Sequence, residues 1–182
     1  VIKDNNPNKL KKILKKLKKS DTDIIVTSGA ISAGKFDFIP ELIKQLSFKK
    51  CFKGVAIKPG KPIMLSKLKQ KNKLFFGLPG NPISCAVGFR FFVYPLIRKS
   101  LGMKIENKLM AKLSNKYSKV INFTHFVRCF MKIDNKGSVQ LEVLQGQQSN
   151  KIKSFVKANC WGIFPRGKGK FKKGDIIQWA PL

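Results

Sequence analysis

Ile24-Ile25-Val26-Thr27-Ser28-Gly29-Ala30-Ile31-Ser32-Ala33-Gly34 reads as a short apolar strand running straight into a loop of small residues. A brief apolar run bounded by turn residues is the pattern of a buried strand. Glycines in the loop let backbone N–H groups approach a ligand closely, and Thr27, Ser28 and Ser32 add hydroxyls. Upstream, Leu10, Ile13, Leu14 and Leu17 recur at helical spacing with lysines on the other face, which predicts an amphipathic helix. Downstream, Asp37 and Pro40 open a second helix carrying Leu42, Ile43 and Leu46. Helix, strand, loop, helix is the grammar of an α/β fold.

Further along, a strand over residues 52–57 leads to the stiff, doubly basic connection Lys58-Pro59-Gly60-Lys61-Pro62. Strands at 63–68 and 74–78 follow, separated by a polar turn. Pro79-Gly80-Asn81-Pro82 then ends a strand and starts a long helix, with Asn81 as N-cap, Pro82 in the first helical position and a stop near Gly102. An α/β domain over residues 1–103 is expected. Beyond it the pattern changes to short strands, led by a hairpin of 126–133 and 138–144 around Asp134-Asn135-Lys136-Gly137. Residues 104–182 are expected to form a small β domain.

With 43% hydrophobic residues the chain can bury a core, and no stretch approaches the roughly 20 apolar residues that span a bilayer. The start, Val1-Ile2-Lys3-Asp4, has no signal-peptide character, so a cytoplasmic location, without membrane attachment, is the expectation. Cys51, Cys85, Cys129 and Cys160 lie tens of residues apart with no Cys-x-x-Cys pair, which argues for reduced thiols rather than a zinc site or a disulfide framework. The net charge of +29 suits a nucleic-acid binder. Its carrier is lysine spread through every segment, with only Arg90, Arg98, Arg128 and Arg166 to supply planar forks. That distribution favours a solvated surface, and no nucleic-acid partner is expected.

The loop after the first strand and the loop 79–84 both occur where α/β sheets bind ligands, at the C-terminal ends of strands. Each alone is an ordinary β-to-α connection. Two of them, with Lys58 and Lys61 nearby in sequence, make an anion pocket the better reading, with both loops expected on one edge of a parallel sheet. Asp37 has two readings: N-cap of the second helix, or a carboxylate holding Mg²⁺ through water beside a phosphate. His125 stands without a second histidine or clustered acids, which favours a structural or surface role.

At these loops the sequence resembles the molybdopterin molybdenumtransferase family, called MoeA in bacteria and the E domain of gephyrin in animals. TSGAISAG followed by Asp37 is similar to the family's TSGGVSxG…D segment; AIKPGKP and GLPGNPIS match further family segments in order; GQQSNKIKSFVKAN resembles the family's GxxSGxxxSLxxAN. The resemblance implies a MogA-like three-layer α/β domain, truncated at its N-terminus, followed by a small β-barrel-like C-terminal domain. It implies insertion of molybdate into adenylylated molybdopterin with release of AMP, assisted by Mg²⁺ or another divalent metal. It places Thr27, Ser28, Gly29, Ser32 and Gly34 on one wall of the pterin-phosphate pocket, and Pro79, Gly80, Asn81 and Ser84 on the other. Lys58 and Lys61 would neutralise phosphate or molybdate, and Asp37 would orient the metal. It also implies a homodimer and further N-terminal domains that complete the active site. Ala30 and Lys35 depart from the family loop, and Asp4-Asn5-Asn6-Pro7 replaces its paired acids before proline. Two rivals are a molybdopterin adenylyltransferase-like pterin-binding domain, whose loop reads GGTG, and a basic nucleic-acid-binding protein.

Overall fold

The computed structural model describes residues 7–29, 38–68, 70 and 72–182. They form helix α1 (Pro7–Lys19), strand β1 (Ile24–Ser28), helix α2 (Ile39–Gln45) and strands β2 (Lys49–Lys53), β3 (Ile57–Lys58), β4 (Met64–Leu68) and β5 (Lys73–Leu78). Helix α3 (Pro82–Gly88) passes through a π-helical turn, Phe89–Val93, into α4 (Tyr94–Ser100). Then come β6 (Leu109–Leu113), β7 (Tyr117–Ser118), β8 (Thr124–Ile133), β9 (Val139–Val143), α5 (Lys153–Lys157), β10 (Cys160–Phe164), β11 (Lys170–Phe171) and β12 (Ile176–Pro181). The chain divides into two compact units: Val1–Val55 with Gly60–Phe89, and Ala56–Pro59 with Arg90–Leu182.

The first unit is built on a four-stranded sheet of order β1-β5-β4-β2. Side chains alternate across a strand, and the sheet is covered on both faces accordingly. Ile25, Phe75, Met64 and Leu68 join Leu14 of α1 and Ile39 and Ile43 of α2 in one buried cluster. On the opposite face α3 comes so close that a Cβ on Gly88 would lie 2.9 Å from Leu78 Cδ2. Helices, sheet and helix give the three layers expected. The sheet is not all parallel, however. Only β1 and β5 run parallel, while β5 pairs with β4 and β4 with β2 antiparallel, because the short connection between β4 and β5 leaves no room for a crossover.

Three local expectations need correction. The strand expected at 52–57 is two strands: β2 stops at Lys53, Gly54 turns at a φ of 85°, and β3 restarts at Ile57 to pair with β8 instead. A positive φ at this position suits glycine and breaks an extended run. Helix α2 begins at Ile39 with Phe38 in the cap position and no side-chain cap bond, and Asp37 lies outside the described residues. The long helix is interrupted at Phe89–Val93. A proline ring clashes with the carbonyl four residues back; for Pro95 that residue is Phe91, inside the π-helical turn that relieves this.

In the second unit, β8, β9, β6, β12 and β10 close into a ring through the additional pairing of β10 with β8, and β3 lies beside β8 outside it. Alternate residues point inward: Val127 and Cys129 of β8, Leu141 and Val143 of β9, Ala111 and Leu113 of β6, and Cys160 and Phe164 of β10 form the barrel core. Gly162 also points inward, where a Cβ would lie 2.8 Å from Cys129 Sγ and 2.9 Å from the Phe164 ring. The hairpin between β8 and β9 is held by Asp134 Oδ1, which accepts from the N–H groups of Lys136 and Ser138, both at 2.9 Å. All four cysteines are free thiols.

Candidate anion-binding site

Because β1 and β5 run parallel with Ser28 opposite Leu78, both strands end together and their following loops emerge side by side. Gly29 N–H donates to Leu78 O at 2.9 Å, which ties the first loop to the second strand end. A Cβ on Gly80 would lie 3.3 Å from Gly29 Cα, so the two loops meet backbone to backbone. Gly29 holds a φ of 86°, a region open to glycine and strained for other residues. Thr27 and Gly29 are half-buried and Ser28 is exposed; Thr27 Oγ1 lies 3.5 Å from Phe76 O as a donor. The structure thus brings Thr27, Ser28 and Gly29 together with Pro79 and Gly80. Ser32, Gly34 and Asp37 lie outside the described residues.

Asn81 is the N-cap of α3, as its position before Pro82 predicted. Its Oδ1 accepts from Ile83 N–H at 3.1 Å and Ser84 N–H at 3.2 Å, and from Ser84 Oγ at 3.4 Å. Cys85 N–H donates to Asn81 O and Pro82 has no N–H. The first-turn amides that the sequence suggested for an anion are therefore occupied by the cap. What the helix start still offers is its dipole, and Ser84 is buried at the base of the loop.

Lys58 and Lys61 are both exposed, and they fall in different units. Lys58 stands on β3 opposite His125 of β8. His125 is buried: its Nδ1 lies 3.2 Å from Tyr117 Oη, and its Nε2 has no partner among the described residues. Burial pulls its pKa down to about 4, and the charges of Lys119 and Lys58 add to the effect. The ring is neutral at physiological pH. Burial likewise pushes the Tyr117 phenol up to about 12, so the pair carries no charge.

Sequence reasoning passed over Arg128, which stands three residues further along β8. Its side chain is buried at 1% exposure. Nη2 donates to Gly146 O at 2.9 Å and to Gln148 O at 3.2 Å, while Nε and Nη1 have no acceptor among the described residues. A buried guanidinium is normally paired with a carboxylate; Arg128 has no carboxylate partner among the described residues. The available signal was scarcity, since Arg128 is one of four arginines among 38 basic residues. Arginine is the side chain that meets planar or tetrahedral oxyanions with two parallel N–H groups. No group of three or more His, Cys, Asp or Glu able to hold a metal occurs among the described residues.

Residues 1–99 match the family described as "Probable molybdopterin binding domain", and residues 110–182 match "MoeA C-terminal region (domain IV)". A molybdopterin molybdenumtransferase of Haemophilus influenzae is 34% identical over 169 residues, covering 90% of this chain and 40% of that protein. One from Bacillus subtilis is 31% identical over 158 residues, covering 86% and 36%. The crystal structure of a molybdopterin biosynthesis MoeA protein from Pyrococcus horikosii matches with a TM-score of 0.75 at 26% identity, over 97% of this chain and 41% of that one. The chain therefore spans about two-fifths of the length of the relatives it matches. With both segments matched in order and the three-layer and barrel architectures in place, the chain belongs to the molybdopterin molybdenumtransferase family of molybdenum cofactor biosynthesis.

Proposed function

We propose that this chain carries binding surfaces for a molybdenum insertion reaction, in which adenylylated molybdopterin and molybdate are the substrates and AMP and the molybdenum-loaded pterin dithiolene are the products. The observation that carries the reading is the meeting of two glycine-bearing strand ends, with Gly29 N–H bonded to Leu78 O at 2.9 Å and Gly80 against Gly29 Cα. With the Gly29, Ile83 and Ser84 amides already bonded, it is the positive end of α3 beside these strand ends that would favour a phosphate group. Thr27, Ser28 and Gly29 would take one side of the adenylate or pterin phosphate, Pro79, Gly80 and Asn81 the other, with Ser84 beneath.

Arg128 supplies a second, chemically different element. Its unpaired Nε and Nη1 suit a compact oxyanion such as molybdate, and Lys58 on the neighbouring β3 is exposed on the same unit. Lys61 would add positive charge to the phosphate side. The chain's residues act by binding, orienting and neutralising charge, and no side-chain nucleophile is needed. The described residues provide no multidentate metal cage; Asp37 is proposed as the carboxylate that orients Mg²⁺ or its water, and no step is routed through the metal. Homodimerisation and completion of the site by further domains are part of the proposal.

Calorimetric titration with adenylylated molybdopterin at increasing salt tests this reading. Selective binding that persists at salt levels where a single-stranded oligonucleotide no longer binds supports it, because nucleic-acid affinity built on phosphate contacts falls steeply with salt. Equal loss of both would support the nucleic-acid reading. Replacing Lys58 and Lys61 together with Ala should weaken pterin binding while stability stays within about 0.5 kcal/mol, as expected for exposed side chains.

A further inference from the structure

We infer that the second unit contains a separate site for a small carboxylate with an apolar body, in the cavity between α4, the connection that follows it and strand β12. The cavity has a volume of about 370 Å³, within the range of small-molecule pockets. Its lining is largely apolar, with Phe91, Met103, Leu109 and Trp179 among the residues, and Ile105 in the same lining is 91% exposed. An apolar cavity of this size beside an isoleucine left in water favours a ligand over bulk solvent.

The charged lining is selective. Two of the chain's four arginines, Arg90 and Arg98, line this one cavity. In a chain whose basic residues are nearly all lysine, an arginine marks a need for fixed, directed N–H groups. Arg90 meets that need internally. It makes a bidentate pair with Glu106 at 2.8 and 3.1 Å, and its Nε donates to Pro181 O at 3.0 Å. Those bonds fasten the connection and the end of β12 to the helix, and they neutralise Glu106, the only acidic side chain lining the cavity among the described residues.

Arg98 is different. Nη2 donates to Lys104 O at 3.0 Å, Nη1 lies 3.4 Å from Tyr94 Oη, and Nε is buried without an acceptor. It has no carboxylate partner among the described residues. Trp179 Nε1–H, on another lining residue, is also buried without an acceptor. Two buried N–H donors that lack acceptors each carry a desolvation cost. Both belong to side chains of one cavity, whose lining also includes Lys99 and Lys104. A carboxylate would accept from one or both donors after a small side-chain adjustment and would neutralise Arg98. A neutral ligand of the same shape would supply the apolar contact alone. Fastening of the connection does not explain these groups, because Arg98 Nε and Trp179 Nε1 take no part in it.

The test uses the 182-residue chain with naphthalene-1-acetate as probe and naphthalene-1-acetamide as its neutral counterpart, read by NMR at the Trp179 indole N–H. The expected result is a saturable shift with the carboxylate, at least tenfold tighter than with the amide. Arg98→Met should weaken carboxylate binding about tenfold and leave the amide unchanged. Trp179→Phe, which keeps an aromatic ring, though a smaller one, and removes the donor, should weaken it severalfold when followed at the Arg98 Nε–H. Amide dispersion shows whether each variant is folded, and either folded variant suffices. Absence of a saturable shift in the unmodified chain, equal affinity for the amide, or carboxylate affinity unchanged in a folded variant would overturn the proposal.

Discussion

As the proposed anion sites, the strand-end loops of the first unit and the buried guanidinium of the second would present polar groups in opposite ways. In the loops the shape is set by backbone: Gly29 and Gly80 meet because β1 and β5 end in register, and the side chain of Asn81 caps the helix. On the barrel the work is done by a side chain, Arg128, buried where β8 pairs with β10 and given two carbonyl acceptors by the segment around Gly146. A backbone site tolerates changes in side-chain chemistry but not changes in chain geometry. A side-chain site behaves in the reverse way.

Substitution of glycines sharpens that contrast, beginning where the effect is largest. Gly162→Ala in the barrel core would place a methyl 2.8 Å from Cys129 Sγ and 3.2 Å from Leu141, and overpacking of this kind should cost about 3 kcal/mol in denaturant unfolding. The effect is on stability, since no ligand group is touched. A loss under about 1 kcal/mol would mean the barrel interior yields more easily than its packing indicates.

His125 gives the next largest effect, and it appears as a pH dependence. Its folded pKa is depressed to about 4, chiefly by burial, from an unfolded value of 6.5. The unfolded chain therefore takes up the proton first as pH falls. The stabilising contribution is complete above pH 6.5, declines between 6.5 and about 4, and is gone below that. Allowing for partial solvent screening, its size is on the order of 2 kcal/mol. Unfolding midpoints measured across that window should lose this slope in His125→Gln. An unchanged slope would place the acid sensitivity elsewhere.

In the first unit, Gly29→Ala forces a φ of 86° on a residue that disfavours it and should cost about 1–2 kcal/mol in thermal unfolding. Asn81→Ala removes the cap on α3 and should cost about 1 kcal/mol. The two differ in ligand affinity. Gly29→Ala should weaken phosphate binding along with stability, whereas Asn81→Ala frees the Ile83 and Ser84 amides and should leave binding equal or tighter. Weaker binding in Asn81→Ala would show that the asparagine itself contacts the ligand.

The same contrast explains what the sequence made legible. Features that depend on neighbours in the chain were readable: the helix periodicity of Leu10, Leu14 and Leu17, the Asn81-Pro82 helix start, and the Asp134 hairpin turn all appear in the structure. The meeting of the two strand ends at Gly29 and Gly80 was also readable, because glycine-bearing strand ends imply close backbone approach; residues 30–34 of the first loop lie outside the described residues. Features that depend on pairing distant segments were not. Nothing near Lys53 shows that Gly54 would send the following residues to another sheet, and nothing local shows that Arg128 would be buried against residues 146–148. The π-helical turn before Pro95 had a visible cause in the proline itself, yet the expected helix ran straight through it.

The central claim is that the paired strand ends form the phosphate-binding surface of the first unit. Backbone amide NMR during titration with AMP tests it most directly, because it locates the contact without requiring turnover. The account predicts saturable shifts concentrated at Thr27, Ser28, Gly29, Gly80 and Asn81, with the lysine-covered face of α1 unmoved at physiological salt. Shifts spread over the α1 lysines, with the five loop residues unchanged, would contradict it.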